Sequence, residues 1–251
     1  MRRALAIIAA LWLAPTSALA CTQVVFDGAP FTSCRIDLQQ TELRLFLRDQ
    51  AGAIYGGFAP IDTALAPGKR LGMAMNAGMF HPDRAPVGLY IEDGIEQMRI
   101  VTRAGPGNFG LLPNGVLCLT QARAQIIESR AFAAAPPSCR DATQSGPMLV
   151  IDGALHPRFL PESDSRNLRN GVGVDASGQI VHLVISDAPV NFHHFARFFR
   201  DHLGLSQALY FDGRVSRLYA PEIGRADIGL PVGPIIGTVI DAAVDGAASG
   251  G

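Results

Sequence analysis
The sequence predicts an α+β fold, a single domain built on a mainly antiparallel or mixed sheet system with a few helices. Three observations predict it. Short apolar or alternating runs recur along the chain and stop at Asp-Gly or Asn-Gly pairs, the turns that join antiparallel strands. Helical periodicity is confined to a few segments, so strands do not alternate regularly with crossover helices. Hydrophobic residues make up 48% of the chain, and no repeat, linker or charged block divides it, which suits one core.

The chain opens on a leader pattern. Arg2 and Arg3 precede an apolar run from Ala4 to Leu13, and Ala18-Leu19-Ala20 supplies the small-x-small pattern of a signal peptidase site. Residues 1–20 therefore read as a signal peptide, and the mature chain starts at Cys21 as a periplasmic or secreted protein. The apolar run is shorter than the roughly 20 residues a spanning helix needs, and no later stretch is longer, so no transmembrane segment is expected. A cysteine after the cleavage point raises a lipid anchor, but Ala-Leu-Ala departs from the Leu-Ala-Gly or Leu-Ala-Ala that usually precedes an acylated cysteine. Without Arg2 and Arg3 the chain holds 19 basic against 22 acidic residues, a net charge of −3. No basic stripe appears, so no nucleic-acid partner is expected. The domain is placed at 21–240, with an Ala-, Gly- and Ser-rich tail at 241–251.

The first element is a hairpin. Asp27-Gly28 forms a two-residue type I′ turn between Thr22–Phe26 and Ala29–Ser33, which sets Phe26 opposite Ala29 and Cys21 opposite Cys34. Counting outward, the Val25/Pro30 and Cys21/Cys34 pairs both fall on non-hydrogen-bonded positions, suiting proline and bringing the two cysteine backbones within disulfide range. Cys118 and Cys139 then pair by elimination, in keeping with export.

Leu43, Leu45 and Leu47 alternate with Arg44, Phe46 and Arg48, the period of a half-buried strand. Further strand signals run from Met73 to Asn76, Val87 to Glu92, Phe109 to Leu112, Met148 to Ile151 and Val172 to Asp175. Gln179 to Ser186, Ala208 to Phe211 and Ile235 to Ile240 complete the set. One helix is expected from Phe192 to Leu203, capped by Asn191 and stopped by Gly204, with Phe192, Phe195, Phe199 and Leu203 on its apolar face. Shorter helical segments are expected at Ile61 to Leu65 and Glu128 to Ala134.

Motifs of cofactor chemistry are absent. There is no Gly-rich phosphate loop followed by Lys, no dinucleotide fingerprint, no His-Glu-x-x-His and no Gly-x-Ser-x-Gly around Ser145, so no nucleotide cofactor is expected. His193 and His194 are neighbours, about 100° apart on a helix, and do not share a metal as residues at i and i+4 can. What remains are polar clusters at strand ends: Asn76-Ala-Gly-Met-Phe80, Thr143-Gln-Ser-Gly-Pro147, Arg166-Asn-Leu-Arg169, Ser186-Asp187 and Asp212-Gly213. A carboxylate at the end of a buried strand sits rigidly in a low-dielectric mouth, where its pKa can be tuned. Taken singly, each cluster is ordinary turn chemistry.

Taken together, Asn76-Ala-Gly-Met-Phe80, Ser145-Gly-Pro-Met-Leu-Val150, Arg169-Asn-Gly-Val-Gly-Val174, Asp187 and Asp212-Gly-Arg-Val-Ser216 follow the order and spacing of the phosphodiester glycosidase family, which the chain resembles from about Asp37 to Val239. The resemblance implies hydrolysis of a glycosyl-1-phosphodiester, with a small-molecule or glycan phosphodiester as the partner. It makes Arg169 the arginine of the family's Arg-Thr-Ala-Ile-Gly and Asp187 the aspartate of its Asp-Gly-Arg. Asp212 and Ser216 take the first and fifth positions of Asp-Gly-Gly-Gly-Ser. Two departures stand out: Ala188-Pro189 leaves Asp187 without the family's neighbouring arginine, and Arg214-Val215 replaces two glycines.

Cleaving a sugar–phosphate bond needs a cation at the phosphate and carboxylates near the anomeric carbon. Arg169 is the expected bidentate phosphate clamp. Asp187 and Asp212 are the candidate acid, base or nucleophile, with the division of roles open. Asn76, Gln144, Ser145, Gly146, Arg166, Gly213 and Ser216 are the candidate substrate-binding residues. No metal is required by any ligand spacing, although aspartates could hold a divalent cation such as Ca²⁺. The alternative reading, prompted by the departures after Asp187 and Asp212, is a carbohydrate-binding or structural envelope protein on the same fold.

Overall fold
The computed structural model describes residues 19–242. In chain order the strands are β1 (Leu19–Phe26), β2 (Ala29–Asp37), β3 (Glu42–Phe46), β4 (Lys69–Asn76), β5 (Tyr90–Glu92), β6 (Ile95–Met98), β7 (Gly115–Leu119), β8 (Ala124–Glu128) and β9 (Asp141–Ser145). They continue as β10 (Met148–Ile151), β11 (Ala154–Leu155), β12 (Asn170–Val174), β13 (Ile180–Ser186), β14 (Gln207–Asp212), β15 (Leu218–Ala220), β16 (Arg225–Ala226) and β17 (Ile235–Asp241). The α-helices are α1 (Phe58–Ala64), α2 (Ser129–Ala134) and α3 (Phe192–Arg197).

Among the described residues the strands form three sheets whose ladders are antiparallel, so the chain is α+β as its turn chemistry predicts. A first sheet of seven strands runs β1-β2-β13-β12-β14-β10-β11, a second of five runs β16-β15-β4-β17-β3, and a third of five runs β6-β5-β9-β7-β8. The main core lies where the three inner faces meet. Ile36, Val172, Leu183 and Phe211 come from the first sheet, Leu45, Met73, Met75 and Ile236 from the second, and Tyr90, Leu117 and Ile126 from the third. The outer face of the first sheet is covered by α3, whose Phe195 packs with Phe31, Val184 and Tyr210.

The opening hairpin has the expected register. Asp27 and Gly28 adopt φ of 46° and 78°, Phe26 faces Ala29, and Cys21 faces Cys34. Both disulfides are present, Cys21–Cys34 with Cα atoms 3.9 Å apart and Cys118–Cys139 with 5.4 Å. The hairpin is longer than expected, because β1 begins at Leu19 and β2 runs on to Asp37. The expected cleavage point between Ala20 and Cys21 thus falls inside a strand, while the body of the expected signal peptide, residues 1–18, lies outside the described residues. At the other end β17 extends to Asp241, inside the expected tail; residues 243–251 lie outside the described residues.

Two local expectations are corrected. Phe109–Leu112 is a turn, in which Leu111 N–H donates to the Asn108 carbonyl and the Asn114 amide to that of Phe109. These local bonds occupy groups that a strand would offer to a ladder. The helix after Asn191 is α-helical only to Arg197 and continues as a π-helical turn over Phe198–His202, with Phe198 and Phe199 both buried. Asn191 caps it through its side-chain oxygen, which accepts from His194 N–H at 2.9 Å. Among the described residues no helix is long and apolar enough to cross a membrane.

Candidate active site
Strand ends from all three sheets converge at one place. Asn170, the first residue of β12, is paired with Asp212, the last of β14. Asn76, the last residue of β4 in the second sheet, reaches across to both. The Asn170 amide donates to the Asn76 carbonyl at 2.7 Å, and the Asn76 amide faces the Asp212 carboxylate at 3.5 Å. Arg217 N–H donates to the Asn76 side-chain oxygen at 3.0 Å. From the third sheet, Ser145 at the end of β9 donates its hydroxyl to the Phe211 carbonyl at 3.2 Å. All four polar residues are at most 8% exposed, and buried amides and hydroxyls persist only when paired this way.

Asp212 is the centre of this junction. One carboxylate oxygen accepts from Gly213 N–H at 2.5 Å and Arg214 N–H at 2.9 Å, so the turn after β14 is closed by its own aspartate. Burial raises the Asp212 carboxyl above the ordinary carboxylate range, and these backbone N–H groups and the Arg214 charge offset part of that. The carboxylate opens onto a cavity of ≈ 580 Å³ whose walls include Met79, Phe80, His81, Asn108, Asn167 and Tyr210. Asp212 is the one acidic residue on those walls. A furrow of similar size, ≈ 560 Å³ near Leu38 and Arg140, also holds one acid, Glu42, but that carboxylate is paired with Arg44 and Arg140. Gly213 is obligatory in its place, since a Cβ there would stand 2.3 Å from the Tyr210 hydroxyl.

Arg169 lies behind this cavity. It is fully buried; its Nε donates to the Val190 carbonyl at 2.9 Å, Nη2 to the Ser165 carbonyl at 2.9 Å and Nη1 to the Tyr210 hydroxyl at 3.3 Å. The guanidinium also lies 3.7 Å from the centre of the Phe192 ring. Among the described residues no carboxylate is bonded to it, and burial lowers its pKa. The expected bidentate clamp is not the arrangement seen: three of the five N–H groups donate to two carbonyls and the Tyr210 hydroxyl, and Arg169 is not among the residues lining the cavity. Burial and the nearby Asp212 charge raise the Tyr210 phenol pKa, which keeps it a neutral donor.

Asp187 does not join Asp212 on the cavity wall. Its carboxylate accepts from Thr32 Oγ1 at 2.7 Å and from Arg225 Nη1 at 2.5 Å, and Arg225 is held in turn by Asp227. Arg225 on β16 thus supplies from 38 residues away the guanidinium that Ala188-Pro189 cannot. Gln144 is also corrected. Its oxygen accepts from the Leu89 and Val101 N–H groups, and its nitrogen donates to the Val101 carbonyl and Ser129 Oγ, leaving no capacity for a ligand.

Gly146 packs against Asn114, where a Cβ would come within 2.4 Å of the Asn114 Cβ, so it shapes the backbone. The Ser216 hydroxyl sits within the junction, within hydrogen-bond distance of the Leu168 and Asp212 carbonyls and the Asn170 side-chain oxygen, and donates its one proton among them. Arg166 is exposed and lines a different surface cleft with His193 and Arg197. Among the described residues no three His, Cys, Asp or Glu side chains come together as a metal site.

Several wall residues have no motif to betray them. Tyr210, Asn108 and His81 reach the cavity from three separate segments, joined by Asn167 of the Arg166-Asn-Leu-Arg169 cluster. Arg214 is different, because a charged side chain in place of glycine inside a strand-end turn is visible in the sequence.

The model of the phosphodiester glycosidase family matches residues 69–228, more than half of the chain and inclusive of Asn76, Arg169 and Asp212. The uncharacterized protein YigE of Escherichia coli (strain K12) is 31% identical over 215 residues, covering 85% of this chain and 84% of that protein. Among solved structures, the catalytic domain of zebrafish N-acetylglucosamine-1-phosphodiester alpha-N-acetylglucosaminidase, auto-inhibited by its pro-peptide, superposes with a TM-score of 0.62. That match has 12% identity and covers 90% of this chain and 84% of the zebrafish chain. A hypothetical protein from Synechocystis superposes with a TM-score of 0.58 at 16% identity, over 88% of this chain and 62% of that one. At these identities the two structures establish a shared fold.

Proposed function
Since the chain belongs to the phosphodiester glycosidase family, we propose that it hydrolyses a glycosyl-1-phosphodiester outside the cytoplasm, releasing the free sugar and a phosphomonoester. The observation that carries this reading is the buried Asp212 carboxylate, alone on the wall of a cavity built from strand ends of the matched region. Breaking the bond between the anomeric carbon and the phosphate oxygen builds positive charge on the sugar ring. Asp212, held in place by two backbone N–H groups, supplies the opposing negative charge. Water delivers its hydroxyl to the anomeric carbon and its proton to the departing phosphate. That leaving group is stable as an anion, so a second carboxylate acting as a strong acid is not demanded, which accords with Asp187 being paired to Arg225 away from the cavity.

The apolar side chains Met79, Phe80, Val87 and Val215 line the same cavity and suit the faces of a sugar ring, while Asn108 and Asn167 offer amides to its hydroxyls. Two disulfides among the described residues support an oxidising, extracytoplasmic setting. The test is release of free sugar from a panel of glycosyl-1-phosphodiesters, beginning with one carrying N-acetylglucosamine, the substrate group in the zebrafish enzyme's name. The reading expects turnover of at least one member by the wild-type protein and none by Asp212→Asn; binding without turnover by the wild-type protein would select a carbohydrate-binding role instead.

A further inference from the structure
The cavity carries one acid, Asp212, and two basic side chains, Arg214 and His81. Arg169 is not among the residues that line it, and its guanidinium donates to the hydroxyl of Tyr210, which is. Arg214 is the reverse case. Its backbone is fixed, because its N–H is donated to Asp212. Its side chain is exposed, lines the cavity, and makes no hydrogen bond or ion pair among the described residues. Other clustered arginines have carboxylate partners: Arg44 with Asp93, Arg140 with Asp141, Arg197 with Asp201 and Arg225 with Asp187. An anchored but uncommitted guanidinium two residues from the cavity's carboxylate is a donor pair held ready for an anion.

The segment reads Asp212-Gly-Arg-Val-Ser216, where the family pattern described above has Asp-Gly-Gly-Gly-Ser. Two glycines would leave that wall bare. Here Arg214 and Val215 both project into the cavity, adding one cation and one apolar surface while taking up volume. We propose that Arg214 is the anion-recognising residue of this cavity, pairing through its guanidinium fork with the two non-bridging oxygens of the substrate's phosphodiester and setting the bond to be broken beside Asp212. The proposal rests on the reading of the cavity as the catalytic site. It makes the chain selective for anionic sugar-1-phosphate derivatives, with the phosphate group gripped at the mouth and not from the buried Arg169 side.

Arg214→Gly restores the family residue, and Arg214→Lys keeps the charge without the fork. Inorganic phosphate is the probe, titrated calorimetrically into the intact protein. Phosphate is expected to bind to the wild-type protein, more weakly to Arg214→Lys, and more weakly by about tenfold or more to Arg214→Gly. With a cleavable phosphodiester, Arg214→Gly is expected to raise KM by about tenfold or more with kcat changed by less than about threefold, since a phosphate grip acts in ground and transition states alike. Equal phosphate affinity in wild type and Arg214→Gly overturns the proposal, as does a wild-type protein that binds no phosphate. Loss of phosphate binding in Arg214→Gly, in a wild-type protein that cleaves no phosphodiester, supports the anion site while removing the hydrolase reading.

Discussion
Asp212 combines the two properties a catalytic carboxylate needs, a fixed orientation and an environment that resists its charge. Both come from its place as the last residue of β14, buried between Asn76 and the turn it closes. Asp212→Asn keeps the shape and removes the charge, so kcat should fall by about 10³ or more while KM stays within about threefold. The same substitution has a stability signature. Burial raises the folded-state pKa above its unfolded value, so between the two values the native state binds more protons and stability falls as pH rises. Asparagine does not titrate. The melting temperature of Asp212→Asn relative to wild type should therefore be higher near pH 7 than near pH 3.5, and an equal difference at both would show that burial does not dominate this carboxyl. From sequence, Asp212 is legible because an apolar strand runs straight into it. The Arg169 environment is not, because nothing in Arg-Asn-Leu-Arg reveals that Tyr210 and Phe192 will enclose the guanidinium.

Among the elements, the opening hairpin was the most legible. Its turn residues, its proline and its cysteines all fix the same register, and the structure has it. The third sheet was the least legible. Gly115–Leu119 and Asp141–Ser145 are buried along their whole length, so they lack the alternation that marks a half-exposed strand. That sheet also carries Glu92, which accepts from the Tyr90 hydroxyl at 2.9 Å. Burial, with Asp141 and Asp93 nearby, pushes its pKa up to about 7, against the opposing pull of the Tyr90 hydrogen bond and Arg44. The native state therefore holds a proton there that the unfolded chain has lost, and stability drains away as pH rises from about 4.5 towards 7. Glu92→Gln should raise the melting temperature by about 2 °C or more near pH 8 and give no gain near pH 4. The Cys118–Cys139 bridge, closing a separation of 21 residues, ties β7 to the segment entering β9; replacing both cysteines by serine should cost roughly 2–4 kcal/mol of stability in denaturant titration. An unchanged denaturation midpoint would mean that the ladder between β7 and β9 suffices alone.

At the scale of the whole molecule, three sheets share one core and expose one polar junction where their strand ends meet, with Asn76, Asn170, Ser145 and Asp212 stitching them together. Reading the motifs as one site implies that Asn76, Ser145, Arg169, Asp187 and Asp212 converge on one cleft; Asn76, Ser145 and Asp212 meet at the junction, while Arg169 lies behind the cavity. Asp187 turns aside to Arg225, which the sequence does not reveal because that partner lies on a two-residue strand with no pattern of its own. On the proposed function, the cavity at this junction breaks the bond on the sugar side of a phosphodiester. Hydrolysis in water enriched in oxygen-18 tests it most directly, with mass analysis of both products. Attack at the anomeric carbon predicts the label in the sugar's new hydroxyl and an unlabelled phosphomonoester; label in the phosphate would contradict the account, because the bond broken would then be the phosphorus–oxygen bond.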